Sequence, residues 1–140
     1  MKTACDLAKT LYLGDRACKR IIIDGWRKVL AIEVDKISRI RSPSGQWDFY
    51  SDEDIIDGTI VFAEVSSFEF VPPGFVPSDW IEITAIDQIS ERSVDGLQFR
   101  ATLSLGAIDR EGNAKEVTLT VCATSLYLED PKHPGVKIVD

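Results

Sequence analysis

Alternation of apolar and polar residues runs along most of the chain and predicts β-strands over most of its length. The alternation is strictest over residues 97–105, and it repeats over residues 117–123 after a turn at residues 109–113. Strands with one apolar face commonly pair as antiparallel hairpins that bury that face and leave the other in water. We therefore predict that these two segments form one antiparallel hairpin.

A second hairpin signal lies nearer the start of the chain. Two β-rich runs, residues 20–23 and 29–34, flank an Asp-Gly dipeptide that is typical of tight hairpin turns. A turn of two residues and a turn of four residues place the same side chains on the same face of the hairpin. The buried face is therefore predicted although the register is not. The residues predicted on that face are Ile21, Ile23, Trp26, Leu30 and Ile32. Arg20 and Arg27 are predicted to point to water.

The first residues predict a helix. Thr3 and Asp6 have the spacing of a capping box, and two leucines four residues apart fall on one helical face. Gly14 is typical of the residue that ends a helix. The predicted helix covers about residues 3–13.

The middle of the chain predicts short strands and one helical turn. Residues 37–41 are predicted to form a partly exposed strand, and residues 46–50 a short strand with Trp47 and Phe49 on one side. Residues 51–58 start with Ser, are rich in acids and end with Gly, a pattern that predicts a single turn of helix.

The following segment predicts an interrupted run of strands. Residues 59–71 lose their alternation near two consecutive serines, which indicates a bulge or a strand break. Residues 72–77 contain three prolines and are predicted to form a loop across the end of a sheet, with Phe75 in it. The isoleucine spacing over residues 80–89 favours a bulged strand over a helix.

Together these segments predict a mainly β fold with about eight strands and one short N-terminal helix. Such a pattern is typical of an antiparallel β-sandwich or a partly open barrel. We predict a single domain over residues 1–140, with the helix at about 3–13, a β-rich body over 17–128 and an extended tail over 129–140.

Charge is distributed unevenly along the chain. The net charge is −7, but residues 1–41 carry +5 and the remaining residues carry −12. The basic residues from Arg16 to Arg41, together with Trp26 and Trp47, have some features of a nucleic-acid-binding segment. The tryptophans follow the core alternation, however, and the acidic remainder repels nucleic acid, so we predict no nucleic-acid partner.

Location follows from the cysteines and from the lack of long apolar runs. Cys5, Cys18 and Cys122 are an odd number at scattered spacings, which favours free thiols in a reducing cytoplasm. No apolar run reaches the length of a membrane helix, and the N-terminus lacks a signal-peptide pattern. We predict a cytoplasmic protein with no membrane partner.

Candidate chemistry is sparse. His133, the single histidine, lies in a Pro-flanked tail that is a poor place for a general base, so we predict no catalytic residues and no enzyme activity. Phosphate-binding loops are absent, and the five acids between residues 48 and 57 do not have the spacing of a calcium loop. No metal site and no cofactor are therefore predicted.

The acidic excess predicts a protein-binding function. Our first hypothesis is a non-enzymatic module, of the immunity-protein type, that neutralises a basic protein through an acidic surface. The alternative is a small β-barrel that binds an apolar molecule in its interior. The oligomeric state is left open. The residues predicted to bind a partner are Asp48, Asp52, Glu53, Asp54, Asp57 and Phe75.

Several segments carry a family resemblance. The most distinctive are LYLGDRACK at residues 11–19 and WDFYSDEDI at residues 47–55, and others lie at residues 24–26 and 128–138. They resemble a family of small bacterial proteins of unknown function. The resemblance implies a bacterial, cytosolic, single-domain protein and provides no catalytic residues.

Overall fold

The structure, a computed structural model, describes residues 3–46, 53–93 and 96–140. Within these residues it contains one α-helix and eleven β-strands, and the strands form three antiparallel sheets. The mainly β prediction, with one short N-terminal helix, is confirmed. The sheets do not close into a barrel, which agrees with the sandwich of the two predicted architectures.

The elements follow one another in a simple order. The helix, α1, is Ala4–Ala8. The strands are β1 (Leu11–Tyr12), β2 (Cys18–Asp24), β3 (Val29–Val34), β4 (Lys36–Arg39), β5 (Glu53–Ile56), β6 (Thr59–Ala63), β7 (Ser67–Val71), β8 (Pro77–Ser93), β9 (Gly96–Ile108), β10 (Ala114–Ala123) and β11 (Ser125–Glu129). Sheet I has the strand order β1-β4-β5, sheet II β11-β6-β3-β2, and sheet III β7-β10-β9-β8.

The hairpin predicted from the strictest alternation is confirmed as β9 and β10. Leu103 pairs with Leu119 in the centre of the ladder, and both side chains are fully buried. Asp109 organises the turn, since one of its carboxylate oxygens accepts hydrogen bonds from the backbone N–H groups of Glu111 and Asn113. Leu97, predicted inward, is partly exposed at the start of β9.

The predicted β2–β3 hairpin is present, the structure supplies the register that the sequence left open, and the predicted face is corrected at the tip. Ile21 pairs with Ile32 and Ile23 with Leu30, as the parity argument requires. Trp26, however, is 97% exposed, because the four-residue turn carries it beyond the last strand pair, where no sheet lies opposite it. Ile23 is itself half exposed, since β2 is an edge strand of sheet II.

The predicted helix over residues 3–13 is too long. Its capping box is present, but the helix ends at Ala8 and residues Leu11–Tyr12 form β1. Thr10 explains the early end, because its hydroxyl accepts hydrogen bonds from the buried guanidinium of Arg39. Its carbonyl also accepts the backbone N–H of Ile40, which pulls the chain into sheet I.

The predicted helical turn over residues 51–58 is wrong for its described part. Glu53–Ile56 is a strand, β5, that pairs with β4. The pairing places Ile37 opposite Ile55 in the core. Burial of these two side chains in paired strands outweighs the local sequence preference for a helical turn. β4 itself is buried and not partly exposed as predicted. The predicted strand over residues 46–50 lies almost entirely outside the described residues.

The interruptions predicted in the second half are confirmed. β6 and β7 belong to different sheets, and the chain changes sheet at the two serines where the alternation is lost. β8 is a long strand with register shifts against β9, one of them at Thr84. After β11 the tail returns to the body, where Ile138 and Leu128 exchange two backbone hydrogen bonds of 2.9 Å.

One hydrophobic cluster joins the three sheets. Ile37 of sheet I, Phe62 of sheet II and Leu119 of sheet III all belong to it and are fully buried. The rings of Phe62 and Phe99 lie 6.3 Å apart at its centre. Among the described residues, no helix is long and apolar enough to cross a membrane.

Candidate functional site

The acids predicted to bind a partner lie beside sheet I as far as the structure shows them. Asp48 and Asp52 fall outside the described residues. Glu53 and Asp54 are on β5, and Asp57 follows it. Each of these three is paired with a cation of the same chain: Glu53 with Arg41 at 3.3 Å, Asp54 with Lys36 at 3.8 Å and Asp57 with Lys19 at 2.7 Å.

A polar network beneath these acids explains why they are present. Asp54 accepts a hydrogen bond of 2.7 Å from the hydroxyl of the buried Ser38, which in turn accepts one of 2.9 Å from Arg16. Arg39 beside it is only 1% exposed. Burial lowers the pKa of the Arg39 guanidinium, and the neighbouring Arg41 acts in the same direction, while Glu53 opposes them. The acids of β5 therefore stabilise the buried polar groups of sheet I.

The basic residues of the first part of the chain are also largely used within the molecule. Lys19 and Arg20 both form ion pairs with Glu33, and Lys36 and Arg41 bind the acids of β5. The hydrogen bond and charge of Asp57 raise the pKa of Lys19. Several of the described basic residues in this part of the chain are therefore paired within the molecule.

Phe75 is half-buried and packs against the core from the loop between β7 and β8. It borders a cleft of about 570 Å³ that it shares with the exposed Val76, with Ile108 and with the β9–β10 turn. Lys115 and Asp109 form an ion pair of 3.9 Å at its margin. The cleft lies far along the chain from the acids of β5, and none of the described residues that border it forms an ion pair with Glu53, Asp54 or Asp57.

A larger groove was not predicted from the sequence. It has a volume of about 790 Å³ and lies between the segment 8–15 and the residues 80–87 of β8. We call it the β8 groove. Leu11 and Leu13 contribute apolar surface from one side, and Ile83 and Ile86 from the other. The sequence pattern indicates this groove only weakly. Residues of β1 were predicted as helix, and the position of β8 at the edge of its sheet depends on the strand order.

The ends of the β8 groove are formed by two contacts. At one end Ala17 pairs with Trp80 in an isolated β-bridge. At the other end the thiol of Cys5 in α1 donates a hydrogen bond of 3.6 Å to the carbonyl of Ile86. The groove lies between these two contacts, with the segment 8–15 on one side and β8 on the other. The groove is therefore bounded along the strand as well as across it.

The outer surface of sheet III carries a set of exposed acids. The inward positions of Leu103 and Leu119 place their sequence neighbours outward, so threonines of β9 and β10 cover the centre of this surface. Exposed carboxylates surround them on β7, β8 and β10. We call this surface the acidic face; its acids are Glu69, Glu82, Asp87 and Glu116.

Trp80 connects the acidic face with the β8 groove. Its indole N–H donates a hydrogen bond of 3.0 Å to Ser104, whose hydroxyl donates one of 2.6 Å to Glu116. The ring lies over Gly106, where an added Cβ would come within 2.6 Å of the ring atom Cδ2. A glycine is therefore required at this position for the ring to lie flat on the sheet.

His, Cys, Asp and Glu side chains are the candidate metal ligands among the described residues. No group of three or more His, Cys, Asp or Glu side chains in them could hold a metal ion. His133 lies in an exposed turn of the tail, where its backbone N–H donates to the carbonyl of Asp130. Cys5, Cys18 and Cys122 are free thiols. The site that the geometry offers is a surface and an adjoining groove.

Comparison with known proteins agrees with the resemblance seen in the sequence. No curated protein and no solved structure matches the chain. One family model matches residues 1–140 and is described as a family of unknown function (DUF6258). The protein therefore belongs to this family of unknown function.

Proposed function

We propose that the protein is a non-catalytic binding module that engages a basic protein through the acidic face of sheet III. One observation carries the proposal. Within the described residues, Glu69, Glu82 and Asp87 form no ion pair, although they are exposed on one side of one sheet. The cation among them is Arg100, opposite Asp87 in the register.

The acids of β5 are a weaker candidate for the same role. Glu53, Asp54 and Asp57 are each within 4 Å of a cation of their own chain. A basic partner would have to displace Arg41, Lys36 or Lys19 to reach them, and the gain from each new pair would be offset by the lost one. We therefore propose the acidic face as the main surface and these residues as secondary contacts.

An acidic sheet surface suits the recognition of a basic protein for two reasons. Complementary charge increases the association rate and disfavours binding of acidic competitors. Its effect on the affinity itself is smaller. The threonine-rich centre offers hydroxyl groups for hydrogen bonds in the plane of the interface. An immunity-type protein that binds and neutralises a basic toxin is the concrete form of this function that we favour.

The setting that we propose is the cytoplasm of a bacterium. The resemblance of segments such as LYLGDRACK implies a bacterial source. The three free thiols support a reducing compartment, where disulfides are rare. A basic toxin made in the same cell would meet its inhibitor there. A toxin gene beside the gene for this protein would support this setting, and a metabolic operon would count against it.

The test is affinity capture from the native host followed by charge reversal. Wild-type protein immobilised on resin should capture a basic protein, and the double variant Glu69→Lys with Glu82→Lys should lose it. The matched control is Glu111→Lys with Glu129→Lys, which changes the same number of charges outside the acidic face. Capture of no basic protein, or equal capture by wild type and the first double variant, would contradict the proposal.

The alternative function, binding of an apolar molecule in the interior, has no specific observation in its favour. Phe62, Phe99 and Leu119 are fully buried in the cluster between the sheets, and the grooves described above open at the surface. Native mass spectrometry of the purified protein remains the direct test. A co-purified small molecule would support that alternative.

A further inference from the structure

The β8 groove separates two strand edges that belong to different sheets. β8 is the last strand of sheet III, and β1 is the last strand of sheet I. An edge strand directs alternate backbone N–H and C=O groups away from its sheet, where they can pair with an added strand. Residues 81–85 of β8 lie between the two contacts that bound the groove, at Trp80 and at Ile86.

The length of this edge fits a short segment of chain. Five residues of strand span roughly 16 Å at the usual rise of about 3.3 Å per residue. The register shift at Thr84 bends the strand, which limits regular pairing to a few residues on either side of it. An occupant would therefore be four or five residues of extended backbone.

The side chains around the groove specify what such a segment should carry. Isoleucines of β8 and leucines of the opposite segment form an apolar lining that suits alternate apolar side chains. The charged residues that line it are Asp15, Glu82 and Asp87 against Lys9, an excess of acid. Basic side chains at the intervening positions would be matched by these carboxylates.

The same charges disfavour a second copy of this chain. If β8 paired with β8 of another molecule, Glu82 and Asp87 of both copies would be brought together. Like charges placed directly opposite each other on paired strands are destabilising. The groove also shares Glu82 and Asp87 with the acidic face, so a partner bound to that face can reach into it.

We propose that the β8 groove binds an extended segment of a basic protein, which adds to the free edge of β8 as a short strand. Backbone hydrogen bonds to β8 would hold the segment, and its alternate side chains would enter the apolar lining. This inference rests on the proposed function, because it names where a basic partner would insert its chain.

The direct test uses a defined probe. The probe is the peptide acetyl-Lys-Val-Lys-Val-Lys-Val-Lys-amide, and its match is the same sequence with N-methyl groups on alternate residues, which keeps charge and removes backbone donors. We expect the first peptide to bind, to slow amide hydrogen exchange in residues 81–85, and to bind at least about tenfold more tightly than the second. Equal binding of the two peptides would overturn the strand-addition proposal.

Two matched variants separate the groove from the acidic face. Glu82→Lys changes the margin of the groove, and Glu69→Lys makes the same change on β7, at the opposite edge of sheet III. We expect Glu82→Lys to weaken the peptide by about tenfold and Glu69→Lys by less than about threefold. Equal effects, or peptide-driven dimers in sedimentation, would contradict the groove. Circular dichroism of both variants confirms that they are folded.

The outcomes also distinguish this inference from the proposed function. If the host partner is captured by wild type and lost by the Glu69→Lys and Glu82→Lys variants, but the probe peptide and its N-methylated match bind equally, the acidic face is the binding surface and the groove proposal is wrong. If the peptide binds as expected while no basic protein is captured from the host, the groove is a strand-binding site and the proposed function is wrong.

Discussion

At the scale of single residues, the structure stands out for the cation it buries. Arg39 is held in β4 by the hydroxyl of Thr10, at 3.2 Å from Nε and 2.9 Å from a terminal guanidinium nitrogen. A buried charge is tolerated only where hydrogen bonds replace its hydration. Thr10 itself donates to the carbonyl of Leu7 at 2.7 Å, so one hydroxyl links the end of α1 to the centre of sheet I.

Replacement of Thr10 by valine tests this link. Valine keeps the shape of the side chain and removes the acceptor, so we expect Thr10→Val to lower the free energy of unfolding by about 1–3 kcal/mol. Urea unfolding followed by circular dichroism provides the measurement. Thr118→Val, on the solvent side of β10, is the control and should change the value by less than about 0.5 kcal/mol. Similar losses in both variants would show that Arg39 does not depend on Thr10.

Burial of Cys18 makes the free energy of unfolding depend on pH in the alkaline range. Burial raises the pKa of the Cys18 thiol from 9.0 to about 11. The unfolded chain therefore loses this proton first, so the contribution of Cys18 is complete below about pH 9 and is lost as the pH rises towards 11. Tyr127, whose pKa is raised mainly by burial, acts in the same direction.

The measurement compares unfolding free energies at pH 8 and pH 11 in three proteins. The decrease between the two pH values should be smaller in Cys18→Ala than in the parent. Cys122→Ala, which removes a thiol from the outer side of β10, should keep the decrease of the parent. An unchanged decrease in Cys18→Ala would mean that this thiol ionises as easily in the folded protein as in the unfolded chain.

The contact between Trp80 and Gly106 gives a steric prediction. A methyl group at residue 106 would meet the indole ring and the Cβ of Asp79, which lies 2.9 Å from the ideal Cβ position. We expect Gly106→Ala to lower the free energy of unfolding by about 1–3 kcal/mol, because the ring must leave the sheet. Gly25→Ala is the control, since nothing lies within 4 Å of its added Cβ. Equal stability of Gly106→Ala and the parent in urea would contradict the contact.

At the scale of elements, the two hairpins differ in burial. The β9–β10 hairpin buries its apolar face, and the tip of the β2–β3 hairpin is exposed. The strands β9 and β10 bury every inward side chain from Phe99 to Leu105 and from Val117 to Ala123. The β2–β3 hairpin buries most of β3 but, of β2, fully buries only Cys18. Its turn is held by the carboxylate of Asp24, which accepts the backbone N–H of Arg27 at 3.0 Å. Its tip is therefore a surface feature.

Large aromatic residues of the two kinds of element should respond very differently to truncation. Trp26→Ala should change the free energy of unfolding by less than about 0.5 kcal/mol, since an exposed side chain loses little on removal. Phe62→Ala, in the buried strand β6, should cost about 3–5 kcal/mol. Denaturant titration of both variants provides the comparison. A large loss in Trp26→Ala would show that its ring is covered in solution.

These elements show how far the sequence determines the fold prediction. Strict alternation predicted β9, β10 and their turn, because few structures other than a strand place every second residue on one apolar face. The end of α1 was missed because Thr10 is held by Arg39, a partner 29 residues away. β5 was mistaken for a helical turn because its pairing with β4 is a tertiary contact. Trp26 was placed inward because parity describes strands and does not describe the residues of a turn.

The candidate site was predicted only in part, for a related reason. The excess of acids after residue 41 is evident from the sequence. It led to a predicted site at residues 48–57, because acids are densest there along the chain. The exposed acids of sheet III are scattered over three strands, at Glu69, Glu82, Asp87 and Glu116. Only the strand order brings them to one surface. The β8 groove depends on that order as well.

At the scale of the whole molecule, one core should make the three sheets unfold together. The cluster includes residues of every sheet, such as Ile55, Ile32 and Leu103. We therefore expect a single cooperative transition, in which circular dichroism and tryptophan fluorescence follow the same denaturant curve. Ile55→Ala in sheet I should shift both curves equally. Two separate transitions would show that sheet I folds independently and would count against the single domain predicted from the sequence.

The position of Trp80 also gives the molecule an optical reporter of its own groove. Trp80 lines the β8 groove and its indole is hydrogen-bonded to Ser104, so its emission depends on the polarity around the ring. Substitution of Trp26 and Trp47 by phenylalanine would leave Trp80 as the sole source of tryptophan emission. A chain that enters the groove would displace water from the ring and move the emission to shorter wavelength, which allows unlabelled candidates to be screened in solution.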